Sequence, residues 1–246
     1  MNEAVAPIHL AFARLPEPPP AEPQGLLPAL SADDLGRLAA FRMPADRWRL
    51  ALGRALLRHL LGCNYGIKGP AIAVSERGRP YLAGANPLGL DVNISHAGSW
   101  VACGVVARAR IGVDVSDIDD LSDWRELAGH FLDASETAFI TGLPAERRAR
   151  AASGFWTLKE AVLKAAGYGL EIDPRLIRMA LQPHPRLLAC PPEVTSHPGS
   201  GWMASLEFAP GSLLAVAILG AARRCADPLA LKWEIVPIEK LFVGHG

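Results

Sequence analysis

Phe155-Trp-Thr-Leu-Lys-Glu-Ala-Val-Leu-Lys-Ala-Ala-Gly-Tyr-Gly-Leu170 reads as a helix with a defined end. Ala161, Leu163, Ala165 and Ala166 are good helix formers, and Lys159, Glu160 and Lys164 add to the propensity. Gly167 and Gly169 end it, because glycine takes the left-handed conformation a helix C-terminus wants. Phe155, Leu158, Val162 and Ala165 follow helical spacing and are predicted to face a core. Trp156, Glu160 and Lys164 stand at i, i+4 and i+8, so they line another face. A carboxylate one turn before an ammonium is either a surface ion pair worth about 0.2–0.5 kcal/mol or part of a phosphate and metal site. The rest of the chain decides between the two.

Upstream, Asp91 to Trp100 alternates as a strand that ends in a polar turn at Ser95-His96, and Val101 to Ala107 is its hairpin partner. In Arg110 to Asp117, Val113 and Val115 point one way and Asp114 and Ser116 the other. Before these, Pro44 and Asp46 open a helix predicted to end at Gly62. Leu52, Leu56, Leu57 and Leu60 form its core side, and Arg47, Arg54 and Arg58 its solvated side. Ser31 caps an earlier helix, with Asp33 and Asp34 at the positive end of its dipole. Pro7 to Phe12 alternates as a first strand. Downstream, Leu121 to Phe131 and Ser135 to Leu143 are predicted helices. Ile177 to Leu181, Trp202 to Phe208 and Leu213 to Leu219 are predicted strands. His184 to Ser200 is a proline-rich surface excursion, and the tail from Lys232 is extended. A helix followed by a small meander, twice over, predicts an α+β fold of two similar fused halves. The halves are residues 1–110 and 111–246, joined near residues 108–112.

The chain has 246 residues, 50% hydrophobic and 20% charged, which is ample for a core. Its 25 basic and 25 acidic residues balance, which argues against a global nucleic-acid or anionic-membrane footprint. Cys63, Cys103, Cys190 and Cys225 are far apart with no CxxC pair, so reduced thiols are expected rather than a zinc site or a disulfide framework. No run of about 20 apolar residues predicts a membrane span. The N-terminus lacks the basic and apolar regions of a signal peptide. A cytoplasmic protein is the expectation.

Three pieces stand out together: Asn93-Ile-Ser-His96, Gly112-Val-Asp-Val115, and Trp156-x-x-Lys-Glu-x-x-x-Lys164 followed by Gly167-x-Gly-Leu170. In this order and spacing they resemble the 4'-phosphopantetheinyl transferases of the surfactin-synthetase-activating type. Arg79-Pro80 after a glycine and the closing Trp233-Glu-Ile-Val236 add to the likeness, which runs from about residue 40 onward. The resemblance implies two pseudo-twofold halves with coenzyme A in the cleft between them: a nucleotide side in the first, the metal and the catalytic helix in the second. It implies transfer of the phosphopantetheine arm of coenzyme A to a serine of an apo acyl or peptidyl carrier protein, with Mg2+. Such carriers belong to polyketide, nonribosomal-peptide and fatty-acid synthases. By the resemblance, Asp114 and Glu160 are the metal carboxylates, and Glu160 and Lys164 are catalytic, with Glu160 or a water on the metal as general base and Lys164 on a phosphate oxygen. Ser95 and His96 would hold the 3'-phosphate with Arg79 beside the nucleotide, Asp114 and Lys164 would also meet coenzyme A, and Arg42 and Arg47 are additional phosphate contacts. Many relatives carry a second acidic residue where this chain has Ser116, so a water is expected at that metal position. Arg147, Arg148 and Arg150 are candidates for docking an acidic carrier. A monomer is expected, and the alternative is a noncatalytic coenzyme A or carrier-binding protein of the same fold.

Overall fold

The computed structural model describes residues 7–195, 202–219 and 231–242. In chain order the elements are β1 (Ile8–Arg14), α1 (Ala32–Ala40), α2 (Pro44–Tyr65), β2 (Ile72–Val74), β3 (Pro80–Leu82), β4 (Leu90–Ala97), β5 (Trp100–Ala107) and β6 (Arg110–Asp117). There follow α3 (Trp124–Phe131), α4 (Ala134–Gly142), α5 (Ala145–Ala166), β7 (Arg178–Ala180), β8 (Arg186–Ala189), β9 (Trp202–Ala209), β10 (Ser212–Leu219) and β11 (Leu231–Ile235). The architecture is α+β, in two units. One holds described residues 7–108 with 231–242, the other 109–195 with 202–219. The division falls between Arg108 and Ala109, but a simple cut at residue 110 misses one feature: residues 231–242 belong with the first unit. Their strand β11 pairs in parallel with β1, Leu10 opposite Trp233 and Phe12 opposite Ile235. Such a long-range parallel pairing leaves no local sequence signal.

In the first unit the sheet order is β11-β1-β5-β4, antiparallel apart from that edge. Helix α2 packs on it through Leu52, Leu56, Leu57, Leu60 and Leu61, all buried. Each such leucine contributes about 1.5–3 kcal/mol by leaving water. The helix runs past Gly62 and stops at Gly66, whose φ of 67° is the left-handed cap. Gly62 is therefore interior to the helix and Gly66 is the terminator. The Ser31 hydroxyl accepts from the Asp34 N–H at 3.1 Å, the predicted cap of α1. Asp34 does more than face the dipole. Its carboxylate is buried and accepts from Arg54 Nε at 2.9 and 3.0 Å. Arg54, predicted on a solvated face, is thus 4% exposed and held by a counter-charge on the neighbouring helix. A buried guanidinium requires that kind of pairing.

In the second unit the three-stranded sheet runs β6-β10-β9, all antiparallel. Helix α5 lies on it, buries Phe155, Leu158, Val162 and Ala165, and ends at Gly167 (φ 83°). Helix α4 begins with a capping box: Asp133 accepts from the Glu136 N–H, and Glu136 accepts from the Asp133 N–H. The hairpin β7–β8 occupies part of the stretch predicted as a surface excursion, so Arg186–Ala189 is a strand. The rest of that excursion from residue 196, and Cys225, lie outside the described residues. The Ser95-His96 turn is also displaced: β4 continues to Ala97, and the chain reverses at Gly98-Ser99.

Candidate functional site

In the second unit the alternation of β6 puts Gly112, Asp114 and Ser116 on one face, and that face meets α5. A Cβ built on Gly112 would lie 1.8 Å from the Ala161 carbonyl oxygen, so only glycine lets the helix backbone rest on the strand. The close approach brings short side chains into reach of the helix. Lys164 Nζ donates to Asp114 Oδ1 at 2.5 Å. The Ser116 hydroxyl meets Thr157 Oγ1 at 2.5 Å, and Thr157 in turn donates to the Ser153 carbonyl at 2.6 Å. Asp114 and Ser116 are both buried.

Glu160 stands between these contacts on the helix. Its Oε1 is buried and has no hydrogen-bond partner among the described residues. Burial pushes the Glu160 carboxyl above the usual carboxylate range. Lys164 pulls it back down, and the Asp114 charge adds a smaller upward push. Two carboxylates that feel each other, one with an orphaned buried oxygen, are a donor set suited to a hard cation that takes the rest of its shell from phosphate and water. Among the described residues no group of three or more His, Cys, Asp or Glu is placed to hold a metal. Ser116 sits on the Asp114 face as predicted, but its hydroxyl is engaged with the helix. Asp117 accepts from the Ser212 hydroxyl at 3.0 Å.

In the first unit a pocket of about 420 Å³ opens between α2 and β4, with Gly78 and Pro80 at its edge. Arg37, Arg49, Arg54 and His96 line it, accompanied by Asp46. His96 is exposed there at the end of β4. Ser95, one residue back, is buried, does not line this pocket, and by strand alternation faces the other side of the sheet. Arg79 sits between two lining residues and pairs with Asp91. Arg42 is exposed in the connection between α1 and α2. Arg47 points elsewhere: it donates to the Phe41 carbonyl at 3.1 Å and pairs with Glu22.

The residue the sequence reading missed is Arg49, which donates to Asp46 at 2.8 Å and to the Gly98 carbonyl at 2.9 Å. Helical phase was the available signal. Asp46, Arg49, Leu50 and Gly53 form one stripe of the helix, whereas Arg47, close in phase to Arg54, is drawn off by Glu22 and the Phe41 carbonyl. Lys159, read only as a helix former, was the second omission: it is fully buried. Of the candidate docking arginines, Arg148 donates to the Leu143 and Thr141 carbonyls at 2.8 and 2.9 Å, and Arg150 pairs with Glu207. Both are used inside their own unit. Arg147 lines a shallow groove of about 230 Å³ with Phe139 and Leu206. No helix among the described residues is long and apolar enough to cross a membrane.

Comparison with known proteins adds to this geometry. The sequence profile of the 4'-phosphopantetheinyl transferase superfamily matches residues 110–199. The 4'-phosphopantetheinyl transferase HetI of Nostoc sp. is 34% identical over 161 residues, which cover 64% of this chain and 68% of HetI. The 4'-phosphopantetheinyl transferase psf-1 of Bacillus pumilus is 29% identical over 145 residues, covering 59% of this chain and 61% of psf-1. A crystal structure of a holo-(acyl-carrier-protein) synthase from Bacillus anthracis, in complex with CoA (3',5'-ADP), aligns over 46% of this chain and 96% of its own at 19% identity and TM-score 0.38.

Proposed function

Because this chain belongs to the 4'-phosphopantetheinyl transferase superfamily, we propose that it moves the 4'-phosphopantetheine arm of coenzyme A to a serine of an apo-carrier protein, with Mg2+. The observation that carries the reading is the trio on β6 and α5: buried Asp114, Glu160 with its orphaned oxygen, and Lys164. A binding protein would not require two carboxylates at one point, because without a cation to hold or a proton to accept they would only repel an anionic ligand.

The reaction forms a bond from the serine oxygen to the phosphorus that bears pantetheine. The bond from that phosphorus to the nucleotide's phosphate oxygen breaks, and 3',5'-ADP leaves. Glu160 accepts the serine proton, directly or through one water. Lys164, a compact charge on a flexible stem, turns from Asp114 to a diphosphate oxygen and neutralises charge as it develops. Asp114 and Glu160 would hold Mg2+, which when bound supplies charge neutralisation at the diphosphate. In the first unit, Arg49 and His96 suit a phosphate dianion, and we assign the 3'-phosphate to their pocket, with Arg79 near the nucleotide.

The test is incubation of the chain with coenzyme A, Mg2+ and apo-carrier protein, read by intact mass. The reading predicts a mass gain of one phosphopantetheine on the carrier serine, abolished by excess chelator. Coenzyme A binding without transfer would identify a noncatalytic binder. Transfer undiminished by chelator would remove the metal assignment.

A further inference from the structure

Lys159 immediately precedes Glu160, yet its side chain is 0% exposed. Its ammonium has three donors and reaches three acceptors: Glu136 Oε2 at 2.6 Å, the Phe131 carbonyl at 2.6 Å and the Pro174 carbonyl at 3.1 Å. Glu136, also buried, uses its remaining capacity on the backbone, accepting from the Asp133 N–H at 2.9 Å and the Met179 N–H at 3.0 Å. The network is satisfied at every atom, within an apolar cluster that includes Ile140, Phe155 and Ile177.

Stability alone is a poor explanation for such a pair. Well-packed apolar side chains of the same volume usually hold a core as well or better, since two ions must first be stripped of water. What an ion pair tied to four fixed backbone partners does supply is a definite position. It gathers the last residue of α3, the first turn of α4 and the segment leading into β7 onto one point of α5. On the strand side, the same turn is held by backbone contact, Gly112 against Ala161. The turn 159–161 is therefore gripped on both sides, and Glu160 lies between the grips.

We propose that Lys159 is a positioning residue for the transfer reaction: its tie to Glu136, Phe131 and Pro174 fixes the rotation and height of the helical turn that carries Glu160. The proposal rests on Glu160 acting in the transfer. Misplacing a reacting group by about 1 Å costs on the order of 100-fold in rate.

The experiment compares Lys159→Met, Glu136→Gln and Glu160→Gln with the parent protein. Thermal midpoint, kcat and KM for coenzyme A are measured on each, with rates taken well below every midpoint. Affinity for Mn2+ in the absence of carrier, by electron paramagnetic resonance, reports on the carboxylates without turnover. Folded Lys159→Met is expected to lose roughly 10- to 100-fold in kcat, to bind Mn2+ more weakly, and to keep KM for coenzyme A within about 2-fold, because the phosphate-binding arginines are in the other unit. Folded Lys159→Met with parental kcat and Mn2+ affinity would overturn the proposal and leave the pair a structural tie. If Lys159→Met does not fold, Glu136→Gln, which loosens the same tie from the other end, decides by the same readouts. Full activity in Glu160→Gln would instead sink the underlying reading of the site.

Discussion

Helices α2 and α5 are equal in length at 22 residues, both stop at a left-handed glycine, and both lie on a sheet built around an antiparallel hairpin. They differ in how closely they approach the strand beneath. On α5 the approach is backbone to backbone, with a Cβ on Gly112 falling 1.8 Å from a helix carbonyl. On α2 the nearest comparable point is Gly53, whose Cβ would meet the Ile94 side chain at 3.0 Å. That difference in spacing decides what each unit can hold. Against α5 a strand aspartate reaches a helix lysine directly. Beside α2 there is room for a pocket lined by arginines. The two spacings yield a compact cluster of Asp114, Glu160 and Lys164 in one unit and an open, arginine-lined pocket in the other.

The largest effect should come from the compact site. Glu160→Gln and Asp114→Ala are each expected to cut transfer by about 10²–10⁴-fold, with circular dichroism and unfolding unchanged beyond about 1 kcal/mol. Formation of holo-carrier, followed by mass, is the readout. Activity near the parent level in both folded variants would reduce the trio to an ion pair beside an idle carboxylate.

The spacing itself can be broken next. Gly112→Ala places a methyl group into backbone atoms that cannot step aside, so a loss of about 3 kcal/mol or more is expected in denaturant unfolding. Gly53→Ala meets only the end of a side chain and should cost about 1 kcal/mol or less, a helix-propensity gain partly offsetting the crowding. Equal costs at the two glycines would mean that the helices are seated alike.

The same contrast explains what could be read from the chain. Helix α5 and its polar face were legible because periodicity, propensity and a glycine stop agree over one continuous stretch. Asp114 and Ser116 were placed on one strand face by alternation alone. The α2 side was harder. Gly62 reads as a helix end, but the helix passes through it, since the left-handed turn is taken at Gly66. Arg54 reads as solvated because its partner Asp34 is 20 residues away on another helix. Arg47 is named by the resemblance as a phosphate contact, but it is Arg49 that lines the pocket. Lys159 looks like any surface lysine until three backbone and side-chain acceptors from other elements converge on it. For Arg54 and Lys159 the missing information was a long-range partner, which local pattern does not encode.

A smaller effect sharpens the account of the compact site. Ser116→Ala removes the hydroxyl contact to Thr157, but Thr157 keeps its bond to the Ser153 carbonyl, so no buried donor is stranded. A loss of about 1 kcal/mol in stability is expected, with transfer retained within a few-fold. A collapse of transfer in the folded variant would put Ser116 among the reacting groups and require a different set of ligands on β6.

The division of labour between the two helices is tested most directly by steady-state kinetics of Arg49→Ala and Glu160→Gln, side by side, with coenzyme A and with its 3'-dephospho form. Loss of a charged phosphate contact is worth about 1.5–3 kcal/mol, roughly 10- to 100-fold in KM. Arg49→Ala should show that rise for coenzyme A, little change for the dephospho form, and a kcat near the parent value. Glu160→Gln should lower kcat for both substrates alike and leave KM nearly unchanged. If Arg49→Ala penalises both substrates equally, or if the two variants share one kinetic pattern, the assignment of anion binding to α2 and of chemistry to α5 is wrong.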